Sequence, residues 1–276
     1  MARHRILTFA VMYFFQAWTL GVDSKMVHLR QPGLSSSITL DMVPNSVDDM
    51  YKGCIKEMGK KVKEYLPNET NTGGIFEQAW TKAETCASNK YKSVNNKLHK
   101  LSYNHIRAIC AYTGGQIEIY PVFNEAVRTS RYEYTTSFQF HSLHFLLTDA
   151  IRILKLKQNT CHTTYRRTNM EFSGEVNKEI RFGLFASSSF LKNLTHFGEK
   201  SCFEIETCFG ADLKSFPSLG NYEKEVLIPP YEVFKVTAVL KKENDKNLWC
   251  DVVYKLKSIK TLSNLNCKIF NKTTMN

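Results

Sequence analysis

Tyr222-Glu223-Lys224-Glu225-Val226-Leu227-Ile228-Pro229-Pro230 sets two carboxylates at i and i+2 where a polar stretch enters a short apolar run. On a strand, alternate side chains share a face about 6.6 Å apart, so Glu223 and Glu225 would serve one pocket while Lys224 points away. The same alternation is the ordinary wet face of a half-buried strand. What gives the stretch weight is its surroundings. From Gln158 onward, short alternating or β-branched runs bounded by turn residues recur at 161–166, 179–185, 202–208, 225–228, 231–240 and 249–256.

The half before them is helical in pattern. Ser46-Val47-Asp48-Asp49 reads as a capping-box-like start. Val47, Tyr51, Cys54, Ile55, Met58, Val62 and Tyr65 then recur at helical spacing up to Pro67. Helices are also predicted over 74–90, 103–112, 124–129 and 142–157, the last with Leu143, Leu146, Leu147, Ala150, Ile151 and Leu154 on one face. Helices followed by strands predict an α+β fold, with the helical N-terminal half packed on the β half. No GxGxxG follows a strand and no GxxxxGK[ST] occurs, which removes the motifs of a Rossmann or P-loop reading. Without a repeat or low-complexity linker, residues 25–276 are expected to form one domain.

Residues 1–24 have the layout of a secretory signal: basic Arg3-His4-Arg5, an apolar run from Ile6 to Leu20, then small residues, with cleavage expected between 21 and 24. The run is short for a membrane span, and the polar, basic C-terminal stretch lacks a lipid-anchor signal. A soluble, secreted monomer is therefore expected, with no stable membrane anchor. Eight cysteines suit oxidising surroundings, where they allow 105 pairings. No ligand spacing supports a metal site. Sequons at Asn68, Asn193 and Asn271 fit the same route. The net charge of +11 favours acidic surfaces such as glycans or cell membranes. The dispersed lysines form no nucleic-acid-binding module, so no nucleic-acid partner is expected.

Three features lie in order along the β half: Tyr165-Arg166, the serine triplet Ser187-Ser188-Ser189, and Glu223-Lys224-Glu225. An arginine, a strand-borne Ser-x-Ser and an ExE in that order resemble the active-site signature of the vertebrate arginine-specific ecto-mono-ADP-ribosyltransferases. Longer blocks extend the resemblance over roughly 37–267: Leu40-Asp41-Met42-Val43-Pro44-Asn45-Ser46-Val47-Asp48-Asp49-Met50-Tyr51-Lys52-Gly53-Cys54, Phe140-His141-Ser142-Leu143-His144-Phe145-Leu146-Leu147-Thr148, Arg181-Phe182-Gly183-Leu184-Phe185-Ala186-Ser187, and Glu225-Val226-Leu227-Ile228-Pro229-Pro230-Tyr231-Glu232-Val233-Phe234.

The resemblance implies a two-sheet β core and a transfer of ADP-ribose from NAD, as co-substrate, to arginine in secreted or surface proteins. Glu225 would stabilise the oxocarbenium charge that develops on the ribose. Glu223 would hold and deprotonate the acceptor guanidinium. Arg166 would position the dinucleotide, and Ser187 would orient the Glu225 end of the site. In the acceptor loop, about 209–222, Phe216 and Tyr222 are candidate contacts, or else pack the loop onto the domain. The resemblance further implies disulfides Cys54–Cys267 and Cys161–Cys208, and leaves Cys86, Cys110, Cys202 and Cys250 open. The chain departs from the family pattern at Arg167, where members usually carry glycine. Its bulk is expected either to crowd the nicotinamide pocket or to leave on the strand face opposite Arg166. Two alternatives follow: NAD hydrolysis, which requires Glu225 but not Glu223, and a non-catalytic secreted binding module on the same fold.

Overall fold

In the computed structural model, which describes residues 37–93 and 100–270, five helices precede most of the strands. They are α1 (Ile55–Glu69), α2 (Ile75–Ser93), α3 (Tyr103–Tyr112), α4 (Tyr120–Thr129) and α5 (His141–Lys155). α5 is buried along most of its length because its apolar residues recur on every turn. α1 and α3 pack against it. Ser102 caps α3 by accepting from the His105 amide, while the His105 ring accepts from the Ser102 amide.

The strands are β1 (Ile38–Thr39), β2 (His162–Thr168), β3 (Phe172–Ser173), β4 (Glu179–Arg181), β5 (Ala186–Ser189), β6 (Ser201–Thr207), β7 (Ala211–Asp212), β8 (Glu225–Ile228), β9 (Glu232–Lys241) and β10 (Val252–Thr261). β1 and β3 form a small parallel sheet, and the other eight are ordered β4-β9-β10-β6-β2-β5-β8-β7. Only the β6–β10 pair of the large sheet is parallel. The fold is α+β with two sheets, the small one borrowing β1 from before the helices.

Two expectations need correction. The first helix begins at Ile55 rather than Ser46, and it runs through Pro67 into Glu69. The polar side chains of 46–49 serve distant partners instead of a cap. Ser46 donates to the Gly183 carbonyl, Asp48 accepts from Arg181, Asn264 and the Leu265 amide, and Asp49 accepts from Tyr134 and the Cys267 amide. Tyr51 and Gly53 take positive φ (54° and 100°), which holds the segment out of a helix. Pro67 sits in the final turn, so the i→i−4 bond it forgoes leaves the preceding turns of the helix intact. The run 179–185 is likewise not one strand. Gly183 has φ +65°, and a Cβ there would lie 2.6 Å from Val43, so the chain turns at a position that excludes other residues.

Four disulfides tie the layers: Cys54–Cys267, Cys86–Cys110, Cys161–Cys208 and Cys202–Cys250. The first closes a sequence separation of 213, for which chain entropy gives about 5 kcal/mol. The second joins α2 to α3. The fourth joins the start of β6 to the turn before β10.

Candidate active site

β5 lies between β2 and β8 and brings the three sequence features together. Tyr165 pairs with Ser189, Ser189 with Glu225, and Ser187 with Leu227. Ser187 Oγ donates to Glu225 Oε1 at 2.6 Å, a short charge-assisted bond. Ser188 Oγ donates to the Val226 carbonyl, and Ser189 Oγ to the Glu223 carbonyl. Each serine of the triplet therefore has its own task. The first holds a carboxylate, and the third fixes the backbone on which the other carboxylate sits.

Glu225 is buried at 3 % exposure, whereas Glu223 is partly exposed. Both line one pocket, but not by simple strand alternation. Lys224 between them has φ +43°, a left-handed conformation that a lysine adopts at a cost. β8 starts only at Glu225. The turn is held by Lys224 N to the Asn221 carbonyl and Phe190 N to the Lys224 carbonyl. Glu223 thus reaches the pocket from the loop, and Glu225 from the strand.

The pocket has an empty volume of about 380 Å³ that includes open solvent. Its lining combines the two carboxylates, the three serines, Tyr165 and Arg167 with the apolar Leu191, Leu194 and Phe197. Arg166 lies behind the serine strand, its Nη1 donating to the Ser187 carbonyl at 2.6 Å. Burial pulls its guanidinium down to about 10, opposed by the neighbouring Tyr112 and Glu225, so it stays charged at neutral pH. Arg167, on the opposite face as neighbours in a strand must be, lines the pocket itself.

Phe216 is 1 % exposed and packs into the helical core, so of the two readings the packing one holds for it. Tyr222 is 87 % exposed, next to Glu223. The loop is anchored just before Phe216, where Lys90 Nζ donates to the Ser215 carbonyl, and between the two aromatics, where the Ser218 amide donates to Thr113 Oγ1. Asn68 is exposed at the end of α1 and Asn193 on the pocket's apolar wall segment. Asn271 and residues 1–24 lie outside the described residues. Among those described, the grouping with metal-type ligands is Cys161, Glu206 and Cys208, whose sulfurs share a disulfide and so offer no thiolate.

Sequence reasoning missed Tyr112 and Asn124. The Tyr112 hydroxyl donates to the Phe185 carbonyl at 2.6 Å, and Asn124 bonds both the carbonyl and the amide of Phe185. They steady the residue from which β5 departs. Nothing in helical spacing marks either of them as part of a site in the β half.

The family model for NAD:arginine ADP-ribosyltransferase matches residues 40–258. This chain belongs to that family. It is 35% identical over 210 residues to T-cell ecto-ADP-ribosyltransferase 1 of Mus musculus, covering 73% of this chain and 69% of that one. Identity to the erythroblast NAD(P)(+)--arginine ADP-ribosyltransferase of Gallus gallus is 36% over 218 residues, with 74% and 69% covered. The crystal structure of the eucaryotic mono-ADP-ribosyltransferase ART2.2 superposes with a TM-score of 0.70 at 30% identity, covering 83% of this chain and 98% of that one. Variants of ART2.2 have been solved with NADH and with NAD. No helix among the described residues is long and apolar enough to cross a membrane.

Proposed function

We propose that this ADP-ribosyltransferase family member, as a secreted monomer, transfers ADP-ribose from NAD to arginine side chains of extracellular or cell-surface proteins and releases nicotinamide. The observation that carries the reading is the Ser187–Glu225 hydrogen bond in the pocket that also holds Glu223. As the bond between nicotinamide nitrogen and ribose C1′ breaks, its electron pair leaves with nicotinamide and positive charge develops on the ribose. Glu225, aimed by Ser187, stabilises that charge where it forms. Glu223 binds the acceptor guanidinium through its planar donors and takes its proton as the guanidinium nitrogen bonds to C1′. The guanidinium of Arg166 has five N–H donors. One bonds the Ser187 carbonyl, and we assign Arg166 to steadying, from behind, the strand that carries Ser187. NAD enters as a co-substrate that is consumed, so no permanently held group is required. The names of the relatives, which specify arginine and NAD or NADP, support the same acceptor and donor.

The test is incubation of disulfide-bonded protein with labelled NAD and agmatine, following nicotinamide release and label on the acceptor together. Glu225→Ala is expected to abolish both signals. Glu223→Gln is expected to remove acceptor labelling and spare release into water. Release without labelling by the wild type would make the protein a hydrolase. Neither signal would make it a binding module.

A further inference from the structure

Arg167 takes no part in the chemistry just assigned, yet it reaches the pocket. Its side chain is 7% exposed. Nε donates to the Lys192 carbonyl at 2.8 Å, and Nη1 lies 3.3 Å from the carbonyls of Gly198 and Trp249. The guanidinium stacks 4.7 Å from the Trp249 ring, whose neighbour Cys250 is locked to Cys202. Glu199 approaches Nη1 at 3.6 Å from the exposed side.

Lys192 and Gly198 bracket the segment that carries Leu194 and Phe197, with Leu191 just before it. These three residues are the apolar part of the pocket lining. One rigid guanidinium therefore grips both ends of the segment that supplies the apolar lining, and a third bond ties it to a disulfide-anchored turn. An ammonium is a point charge and would not hold carbonyls at these separate positions in one plane. The arginine does not merely occupy the space open beside a glycine. It organises the neighbouring loop around itself.

We propose that Arg167 is a positioning residue which fixes the apolar wall of the pocket and so sets the seat for the nicotinamide-ribose end of NAD. The proposal rests on the function assigned above. Pre-fixing a wall lowers the ordering cost of binding and acts on the ground state and transition state alike. Its signature is thus in KM for NAD and not in kcat.

The experiment compares wild type with Arg167→Gly, Arg167→Lys and Leu194→Ala, measuring steady-state nicotinamide release and hydrogen exchange of the amides at 192–198. Both Arg167 variants are expected to raise KM for NAD five- to thirtyfold, to keep kcat within threefold, and to leave KM for agmatine within twofold. Their 192–198 amides are expected to exchange at least tenfold faster. Leu194→Ala, which removes part of the wall and leaves the clamp, is expected to raise KM without that change in exchange. Rescue of KM by Arg167→Lys would assign the effect to charge and overturn the proposal. An unchanged or lower KM in Arg167→Gly, or a fall in kcat alone, would also overturn it. If the wild type released no nicotinamide, the functional reading would fail. Exchange at 192–198 that did not respond to Arg167 substitution would then sink the clamp as well, and exchange that did respond would uphold it. Should the Arg167 variants not fold, the Leu194→Ala KM decides whether this wall seats NAD.

Discussion

Replacing Ser187 by alanine removes one oxygen and tests the central geometry of the site. Its hydroxyl donates to Glu225 Oε1 at 2.6 Å, and Glu225 is almost fully buried. A hydrogen bond to a charged group is worth about 1.5–3 kcal/mol. If the bond serves mainly to aim the carboxylate at charge that exists only in the transition state, the whole amount appears in kcat. Each 1.36 kcal/mol is a factor of ten, so Ser187→Ala is expected to slow nicotinamide release about 10- to 150-fold with KM for NAD little changed. The neighbours provide controls, because Ser188 bonds the Val226 carbonyl and Ser189 the Glu223 carbonyl. Ser188→Ala should cost stability and little kcat. Ser189→Ala should weaken acceptor labelling more than NAD cleavage. Initial rates at saturating NAD, with the melting temperature of each variant as a folding check, separate these outcomes. A fall of less than threefold in folded Ser187→Ala would refute the claim that this bond aims Glu225.

The remaining predictions concern the acceptor, pH and the cross-links. Tyr222→Ala, at an 87% exposed position, should leave stability within about 0.5 kcal/mol while raising KM for protein acceptors, read from labelling titrations. Buried His144 accepts from Tyr51 and bonds the Val47 carbonyl, and burial lowers its pKa from 6.5 to about 3. The stability it contributes is present above pH 6.5 and lost on acidification, about 2.5 kcal/mol by pH 4.5 at 1.36 kcal/mol per pH unit. Asp49, linked through Tyr134 and Tyr51, has its pKa raised by burial to about 6, so its contribution runs the other way and is lost as pH rises from 3.8 to 6. With His141 packed against Tyr134 unchanged, His144→Gln should gain on wild type as pH falls from 6.5 to 4.5. Asp49→Asn should lose on it over the same window, both read by urea denaturation. Replacing Cys54 and Cys267 together by serine should cost about 5 kcal/mol, read in the same assay.

Much of the fold was legible because its signals are local. α3 and β8 fall where spacing and β-branched runs put them, and α2, α5, β2 and β6 do so within three residues. Legibility failed where a polar residue served a distant partner. Asp48 and Asp49 looked like the first turn of a helix, but their carboxylates are satisfied by Arg181, Tyr134 and amides near the C-terminal end. The ExE pair was read as strand alternation, and both carboxylates do line one pocket. The left-handed Lys224 shows that a turn places Glu223 there. Cys86–Cys110 and Cys202–Cys250 could not be chosen from sequence, because pairing depends on which helices and turns meet in space.

The helical half matters to the chemistry through the few residues that precede the serines. Gly183 accepts from Ser46, Arg181 is held by Asp48 and by the Met42, Val43 and Leu262 carbonyls, and Phe185 is bonded at both its carbonyl and its amide by Tyr112 and Asn124. Phe185 also packs against Phe123 and His144. The chain therefore enters β5 from a stretch fixed on several sides by buried partners, two residues before the hydroxyl that must aim Glu225. A hydroxyl on a short strand has no rigidity of its own, and a catalytic hydrogen bond misplaced by an ångström loses much of its value. The buried polar contacts that make 46–54 irregular, and that defeat a helical reading of it, are thus part of what holds Ser187 in place.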